Sequence, residues 1–340
     1  MQPEYYREWD DGHQSFTFVP YLRIDQHDSA RSHFDIRELT WLKAASDWEL
    51  RLGVRKVFWG VAESQHLVDI INQTDLVEDP DGEDKLGQPM MDLALIRDWG
   101  TLDLYVLPYF RERTFPGTEG RLQLAPINID QARFESGAKQ HHIDVALRWS
   151  RSFGDWDVGL AHFTGTDREP LLVAVPGNPK LVPYYPLIDQ TGLDVQTTKG
   201  SWLWKLEAIT RSGQGDRFSA LTGGFEYTFA GLMAGPADLG VLAEYLYDDR
   251  GHAATTPLQD DVFIGMRMTL NDAQSSELLA GVIADRHNGA RLYNIEASRR
   301  LGQNWKLSLT ARGYAAIPPS DLLYNVRQDD YLQLELARYY

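Results

Sequence analysis

The residues that could do chemistry in this sequence are charged and aromatic, because the motifs of the common enzyme classes are missing. The chain contains no GxSxG nucleophile elbow, no HExxH zinc motif, no Walker loop and no dinucleotide fingerprint. His141 and His142 are its only adjacent histidines, and successive residues of a strand point to opposite faces, so a regular strand could not aim both at one metal ion. We therefore expect no enzymatic activity.

One acidic run has the composition of a cation site. Residues 78–84 read EDPDGED, and the candidate ligands are Asp79, Asp81, Glu83 and Asp84. Hard ions such as calcium bind several carboxylates around a sharp glycine turn, but this run lacks the regular spacing of an EF-hand. The alternative is a solvated acidic loop. We expect no other cofactor.

Composition limits the classes of protein that could position these residues. A net charge of −16 argues against nucleic acid as a partner, and the absence of cysteine excludes disulfides and thiolate metal sites. No apolar run approaches the ~18 residues of a transmembrane helix. Yet 10 Trp, 16 Tyr and 13 Phe are many for a chain with a mean hydropathy of −0.39. Strands with one apolar and one polar face would explain how many aromatic residues and a low mean hydropathy occur in the same chain.

The last ten residues, 331–340, show that strand pattern most clearly. Leu332, Leu334 and Leu336 share one face, whereas Gln333 and Glu335 share the other. The same alternation occurs near the start of the chain, over 15–25, 33–46 and 48–60. These periods predict an all-β protein.

Tryptophan recurs at one kind of position along the chain. Five short turns each carry one, at Trp48, Trp99, Trp156, Trp202 and Trp305. An amphipathic indole is favoured at a membrane–water interface, so a belt of tryptophans at one end of a barrel would explain the recurrence. Ordinary aromatic residues at hairpin ends are the alternative.

Connections between the predicted strands alternate between short and long. Long ones are expected at about 65–89, 116–140 and 167–186, and shorter ones near 213–217, 249–259, 286–290 and 317–329. Two further short turns fall around 235–236 and 271–272. Such asymmetry is typical of a transmembrane antiparallel up-and-down β-barrel, here of about sixteen strands, with short periplasmic turns and longer extracellular loops. We expect one domain over 1–340, with 1–14 as a periplasmic N-terminal segment.

In these features the chain resembles Gram-negative outer-membrane porins of the sixteen-strand class over essentially its whole length. The terminal strand ends on an aromatic residue and is similar to the closing strand that serves those barrels as an assembly signal. The PEFGG-type motif of the general porins is not found, and segment 53–75, GVRKVFWGVAESQHLVDIINQTD, is similar to one in little-characterised porin-like families. The start, MQPEYYREWD, has no signal-peptide features, so we expect the printed sequence to begin at the mature end.

That resemblance implies a location and partners. The location is the bacterial outer membrane. The partners are outer-membrane lipid and lipopolysaccharide, the barrel assembly machinery through the C-terminal strand, small polar solutes, and two further copies in a homotrimer. We expect the closing strand to pair with the first one.

Alternation predicts which side chains line the lumen. The cationic and aromatic candidates are Arg37, Arg51, Arg55, Tyr105, Tyr109, Arg111, Arg113, Arg148, Lys205, Arg211, Arg267, Lys306 and Arg312. The acidic candidates are Asp35, Glu49, Asp103, Asp144, Glu207, Glu226, Glu244, Glu296 and Glu335. A lumen lined by both signs is polar, and a barrel of this size leaves an aqueous channel rather than a packed interior. The loops at 78–84 and 116–140 are long enough to narrow it.

The predicted function is an outer-membrane channel for passive or substrate-selective diffusion of small polar solutes, with anionic or sugar-like solutes preferred. The arginines could guide anions, and Tyr105 and Tyr109 could offer aromatic surface to a sugar ring or an aromatic acid. Alternatively, the arginines pair with neighbouring carboxylates and hold the wall together. The alternative functions are a polysaccharide export barrel, an outer-membrane enzyme on a barrel scaffold and a soluble all-β carbohydrate-binding protein.

Overall fold

The computed structural model describes residues 1–79, 81–232 and 235–340, and its regular structure is almost entirely β. The strands are β1 Tyr5–Trp9, β2 Gln14–Arg23, β3 His33–Ala44, β4 Trp48–Arg55, β5 Gln88–Arg97, β6 Gly100–Leu107, β7 Arg133–Phe134, β8 Asp144–Phe153, β9 Trp156–Thr166, β10 Leu171–Val173, β11 Val182–Tyr185, β12 Leu187–Lys199, β13 Trp202–Ser212, β14 Phe218–Phe229, β15 Asp238–Asp248, β16 Asp260–Thr269, β17 Glu277–Asp285, β18 Arg291–Leu301, β19 Trp305–Ala315 and β20 Tyr331–Arg338. Single-turn 3₁₀ helices lie at Ser29–Arg31, Ile129–Gln131, Lys139–His141, Gly251–Ala253 and Tyr324–Val326. None of the described helices could cross a membrane.

Seventeen of the strands form one sheet in which each strand pairs antiparallel with the next along the chain. The other three, β7, β10 and β11, form a small sheet within the long connections, and in it β7 runs parallel to β11. The predicted up-and-down architecture is confirmed. The strand count differs by one, because residues 5–9 of the expected N-terminal segment 1–14 pair with β2 and extend the sheet.

Side-chain exposure alternates along the strands as the sequence predicts. In β15, Leu242 and Leu246 are buried, whereas their neighbours Val241, Tyr245 and Tyr247 are exposed on the other face. Exposed apolar residues recur on the outer face of strand after strand, as at Leu104, Leu147, Leu160, Ile264, Ile295, Leu307 and Leu334. Large exposed apolar surfaces mark contact with another phase, and around a barrel that phase is lipid.

The turns at one end are short, and left-handed glycines close several of them. Gly154 between β8 and β9 has a φ of 60°, and Gly200 between β12 and β13 has a φ of 62°. Such values suit two-residue hairpin turns, which other residues adopt at a cost. Of the five predicted belt tryptophans, Trp99, Trp156, Trp202 and Trp305 are 38–48% exposed at this end, and Trp48 is partly buried.

The two edge strands of the large sheet are β1 and β20. Each pairs with one neighbour, and no hydrogen-bonded ladder joins them among the described residues. Leu332 and Leu334 of β20 are each 63% exposed. The expected pairing of the terminal strand with the first strand is therefore not formed, and the sheet curls around its lumen without closing.

The main hydrophobic core lies inside the lumen. Trp59, Val68, Ile70 and Ile71, from the long connection between β4 and β5, pack against inward-facing residues of the wall, among them Tyr105, Phe163, Ile188 and Ile209. The expectation of a wholly water-filled interior was therefore wrong, because a segment with enough apolar side chains to form a core occupies part of it.

Candidate functional site

Residues 56–77, which we call the plug, leave β4 and fold into the lumen. The plug has no helix or strand, so side chains fix its path. Asn72 joins its two ends: the Asn72 side chain accepts from the Val57 N–H at 2.8 Å and donates to the Arg55 and Leu86 carbonyls at 2.9 and 2.8 Å. Because these bonds satisfy buried backbone groups, the irregular segment keeps a defined shape.

Glu207 of β13 binds the first part of the plug. Its side chain is fully buried, and its carboxylate accepts the N–H groups of Val61 at 2.7 Å, Ala62 at 2.9 Å and Val68 at 3.2 Å. Hydrogen bonds to an ionised acceptor are about twice as strong as neutral ones. A wall carboxylate thus holds a loop that lies ~140 residues away in sequence.

Glu244 of β15 binds the next residues in the same way. Its carboxylate accepts the N–H groups of Glu63 and Ser64, each at 2.8 Å, and the Ser64 hydroxyl at 2.6 Å. The Glu63 side chain points back to the wall, where it pairs with Arg267 and lies 3.6 Å from the Lys205 ammonium. The plug is therefore attached to both β13 and β15.

Aromatic contacts and ion pairs hold the plug on its other side. The Trp59 ring meets Tyr105 of β6 edge-on, with centroids 5.6 Å apart, and the Arg148 guanidinium lies 5.1 Å above it. Arg148 also forms a bidentate pair with Asp194, at 2.7 and 2.9 Å, and reaches it across Gly159, where a side chain would collide with both groups. This geometry fixes the arginine against the face of the indole.

His66 adds a charge to the plug. Its Nε2 is 3.2 Å from the Glu83 carboxylate, and its Nδ1 is 3.7 Å from that of Glu207. Burial disfavours the charged imidazolium, but the two carboxylates outweigh burial and raise the pKa of His66 to about 10. The ring therefore carries a positive charge at neutral pH.

Most of the predicted lumenal cations are paired with carboxylates. The pairs are Arg37 with Asp35 and Asp75, Arg51 and Arg55 with Asp92, Arg111 with Asp35, Arg148 with Asp194, Lys205 and Arg267 with Glu63, Arg211 with Glu169, and Arg312 with Asp81 and Glu296. The structure thus favours the alternative in which arginines hold wall and plug together, over a ladder of free cations. Of the predicted cations, Arg113 and Lys306 form no ion pair with a carboxylate among the described residues, and Arg113 lines the lumenal cavity.

The two predicted lumenal tyrosines lie in different places. Tyr105 is 5% exposed beneath Trp59, so its ring is not available to a solute. Tyr109 lies beyond the end of β6, is 41% exposed, and meets the ring of His141 edge-on. The neighbouring His142 binds Asp144 at 2.8 Å, and the two histidines do not share a ligand.

The four acidic residues of the candidate cation site do not converge. Asp81 pairs with Arg312 at 2.6 Å, Glu83 pairs with His66, and Asp79 accepts from the Tyr331 hydroxyl at 3.4 Å. Burial and the neighbouring Asp81 raise the pKa of Asp79 to about 6. Protein cations and donors thus take oxygens of Asp79, Asp81 and Glu83 in separate directions, and the calcium site at Asp79, Asp81, Glu83 and Asp84 stays a prediction.

Another acidic group lies on the outer side of the plug. His33, Asp75 and Glu78 place ligand atoms within 4.8 Å of one another. Arg37 binds Asp75 at 2.7 Å, and Arg23 binds Glu78 at 2.6 Å. Since arginines already neutralise both carboxylates, this group serves as an ion-pair network rather than a metal site.

A cavity of about 600 Å³ remains between the plug and strands β13 to β19. Its lining includes charged side chains, among them Arg113 and Arg211, and apolar ones, among them Leu279 and Ile283. Loop 78–84, which was expected to narrow the lumen, reaches this cavity through Asp81 and Glu83. The cavity is the candidate binding site.

Sequence reasoning placed Glu207 and Glu244 in the lumen but did not identify them as anchors of the plug. It also noted segment 53–75 without assigning it a role. The available signal was the apolar content of a long connection, since Val57, Ile70 and Ile71 would be unfavourable in a solvated loop.

No protein-family model and no curated protein sequence matches the chain. Among solved structures it is similar to Wzi of Escherichia coli, described as an outer-membrane protein involved in group 1 capsule assembly and a carbohydrate-binding β-barrel, with a TM-score of 0.55 and 10% identity over 92% of this chain and 73% of Wzi. OccK8 (OprE) of Pseudomonas aeruginosa gives a TM-score of 0.53 and 10% identity over 99% and 90%. OpdK of Pseudomonas aeruginosa, solved with vanillate, gives 0.50 and 10% over 96% and 86%. At this identity the likeness concerns the fold, and the chain has the fold of bacterial outer-membrane β-barrels.

Proposed function

We propose that this protein is an outer-membrane channel whose lumen is narrowed by the plug and which passes small solutes selectively, anions among them. The observation that carries the proposal is the attachment of the plug to the inner wall through Glu207 and Glu244, with a cavity of about 600 Å³ left beside it. The bound segment reduces the open cross-section of the lumen. A filled lumen with a cavity suits a selective channel, in which binding precedes passage.

Charge in the lumen supports the anionic part of the proposal. Most of the lumenal cations are paired with carboxylates, but Arg113 lines the cavity and forms no ion pair among the described residues, so it supplies an uncompensated positive charge there. The paired side chains also offer replaceable hydrogen bonds to a polar solute. A reversal potential under a salt gradient should show anion preference, and cation preference would contradict this part of the proposal.

Conductance of the refolded protein in planar bilayers tests the role of the plug. Replacing both anchors, Glu207→Ala with Glu244→Ala, should raise single-channel conductance several-fold, because six hydrogen bonds to the plug are removed. Glu4→Ala, at an exposed position near the start of the chain, is the matched control and should leave conductance unchanged. A double variant that conducts like the parent would show that the plug does not limit the path.

Catalysis is less well supported than transport. Among the described residues no histidine forms a hydrogen bond with a serine hydroxyl; His162, for example, binds Thr191 at 3.0 Å. An export barrel for polysaccharide would need a wider path than the cavity offers beside the plug. The lipid, assembly-machinery and homotrimer partners implied by the porin resemblance remain part of the proposal, and the mass of the detergent-solubilised protein tests the trimer.

A further inference from the structure

The wall of the cavity formed by β16 and β17 is apolar. Leu242, Leu246 and Phe263 are at most 5% exposed, and Leu258, Leu279 and Ile283 pack against them. Four of these six, Leu258, Phe263, Leu279 and Ile283, line the cavity itself. Such a patch inside a barrel whose outer face is already apolar does not stabilise the barrel in lipid, and it disfavours a strongly hydrated solute such as a sugar.

Two glycines set the shape of this apolar wall. Gly265 of β16 and Gly281 of β17 are cross-strand partners, and the ring of Phe263 lies over both of them. A Cβ at either glycine would overlap the ring. The aromatic ring therefore lies flat on the wall, so that it presents apolar surface without filling the space beside it.

The charged side of the same cavity is almost fully balanced. Its ion pairs are Lys85 with Asp69 at 3.5 Å, His66 with Glu83 at 3.2 Å, Arg211 with Glu169 at 2.9 Å, Arg250 with Asp248 at 2.6 Å, and Arg312 with Asp81 at 2.6 Å. Each carboxylate in these pairs is held by a protein cation. A ligand thus meets a lining in which most charges are cancelled.

Arg113 is the exception. Its Nε donates to the Gln73 side chain at 3.2 Å, and within the described ranges its guanidinium forms no ion pair with a carboxylate. Glu169, the carboxylate whose charge acts most strongly on Arg113, is bound by Arg211. The Arg113 backbone is fixed by a bond from its N–H to the Tyr185 hydroxyl at 3.0 Å. The cation is thus held in place but not neutralised.

Partial burial makes the charge on Arg113 unfavourable. It lowers the pKa of Arg113, although guanidinium keeps its proton at any physiological pH. A cation partly withdrawn from water without a carboxylate partner is unfavourable, and an anion bound from solution would relieve this. One unpaired arginine matches one negative charge on the ligand.

We propose that the cavity binds a small amphiphilic monocarboxylate, with its carboxylate on Arg113 and its apolar body on the wall around Phe263, Leu279 and Ile283. This inference rests on the proposed function, since it names the substrate class of the same channel. An arginine fork recognises a planar carboxylate in two parallel hydrogen bonds, which explains why arginine suits the position. A cavity of about 600 Å³ is of the size that encloses a ligand of this kind.

Fluorine NMR can test the inference with 3-(4-fluorophenyl)propanoate as the probe and its primary amide as the neutral match. The protein is held in lipid nanodiscs, and empty nanodiscs correct for partition into lipid. The parent should bind the carboxylate at least tenfold more tightly than the amide. Arg113→Gln should remove that difference by weakening the carboxylate alone, and Arg113→Lys should restore part of it.

Two further variants separate the apolar and charged contributions. Ile283→Thr should weaken both probes by a similar factor, because it changes only the surface for the apolar body. Arg217→Gln is the matched control: this exposed arginine binds the Ser212 hydroxyl at 3.0 Å outside the cavity and should change neither affinity. Retention of heat-modifiable migration on gels shows that each variant has folded.

The outcomes separate this inference from the proposed function. Equal affinity of the parent for the two probes, or equal losses for both probes in Arg113→Gln, would overturn the carboxylate site. Anion conductance without binding of either probe would overturn the substrate class and leave the channel standing. Specific binding by a protein that conducts no ions would support the site and count against the channel.

Discussion

At the scale of single residues, the site depends on buried groups whose partners come from distant parts of the chain. Glu207 is the clearest case: three backbone N–H groups of the plug converge on one buried carboxylate. Replacing such an acceptor leaves several donors unsatisfied at once, at roughly 1–3 kcal/mol each. The plug should therefore respond strongly to changes that are chemically small.

Gly60 offers the sharpest test at this scale. Its φ is 150°, a value that favours glycine, and a Cβ there would lie 2.9 Å from His66 Nδ1 and 3.0 Å from Glu207 Oε1. We expect Gly60→Ala to destabilise the bound plug by roughly 1–3 kcal/mol. Faster hydrogen exchange of the Val61 and Ala62 amides would register the effect.

Gly137→Ala is the matched control for that change, because no atom lies within 4 Å of the position of its Cβ. Its exchange rates should equal those of the parent. If Gly60→Ala also left the exchange of the plug amides unchanged, the space between residue 60 and Glu207 would not control how the plug is bound.

At the scale of elements, a segment without helix or strand is positioned by rigid strands. The plug contributes apolar side chains and backbone N–H groups, and β13 and β15 contribute the carboxylates that receive them. Wall glycines make room: Gly192 faces Val68, and Gly159 lies beneath the Arg148–Asp194 pair. Small wall residues thus allow the plug to approach the wall closely.

The charge on His66 makes attachment of the plug depend on pH. Its pKa is raised from an ordinary 6.5 to about 10, so the stabilisation is complete below pH 6.5 and is lost as the pH rises through about 10. We expect exchange of plug amides, corrected for intrinsic base catalysis, to accelerate between pH 9 and 11. His66→Gln should give a looser plug at every pH without this step, and a step that persisted in the variant would assign it to another group.

At the scale of the whole molecule, alternation in the sequence predicted the barrel and the inward face of Glu207, Glu244 and Arg148. It did not predict that 56–77 would fill the lumen, because the plug has no period and its anchors lie about 140 to 180 residues away. Alternation did not predict the cavity for the same reason. It also could not show which lumenal arginines form ion pairs, since it gives the direction of each side chain but not its partner.

The two edge strands of the large sheet, β1 and β20, should pair with each other in a membrane. With seventeen strands pairing antiparallel in order, β1 and β20 run in the same direction. Unpaired backbone groups in hydrocarbon cost several kcal/mol each, so the two edges should be satisfied in a membrane. Residues 1–9 already cover β2, with Met1 also bonded to Leu22, so we expect β20 to close on β1 as a parallel pair.

The chain has no cysteine, so pairs of introduced cysteines can test this closure by cross-linking. Tyr6→Cys should form a disulfide with a cysteine at one position of 332–336, whereas cross-links from Thr17→Cys on β2 to those positions would mean that β20 displaces β1.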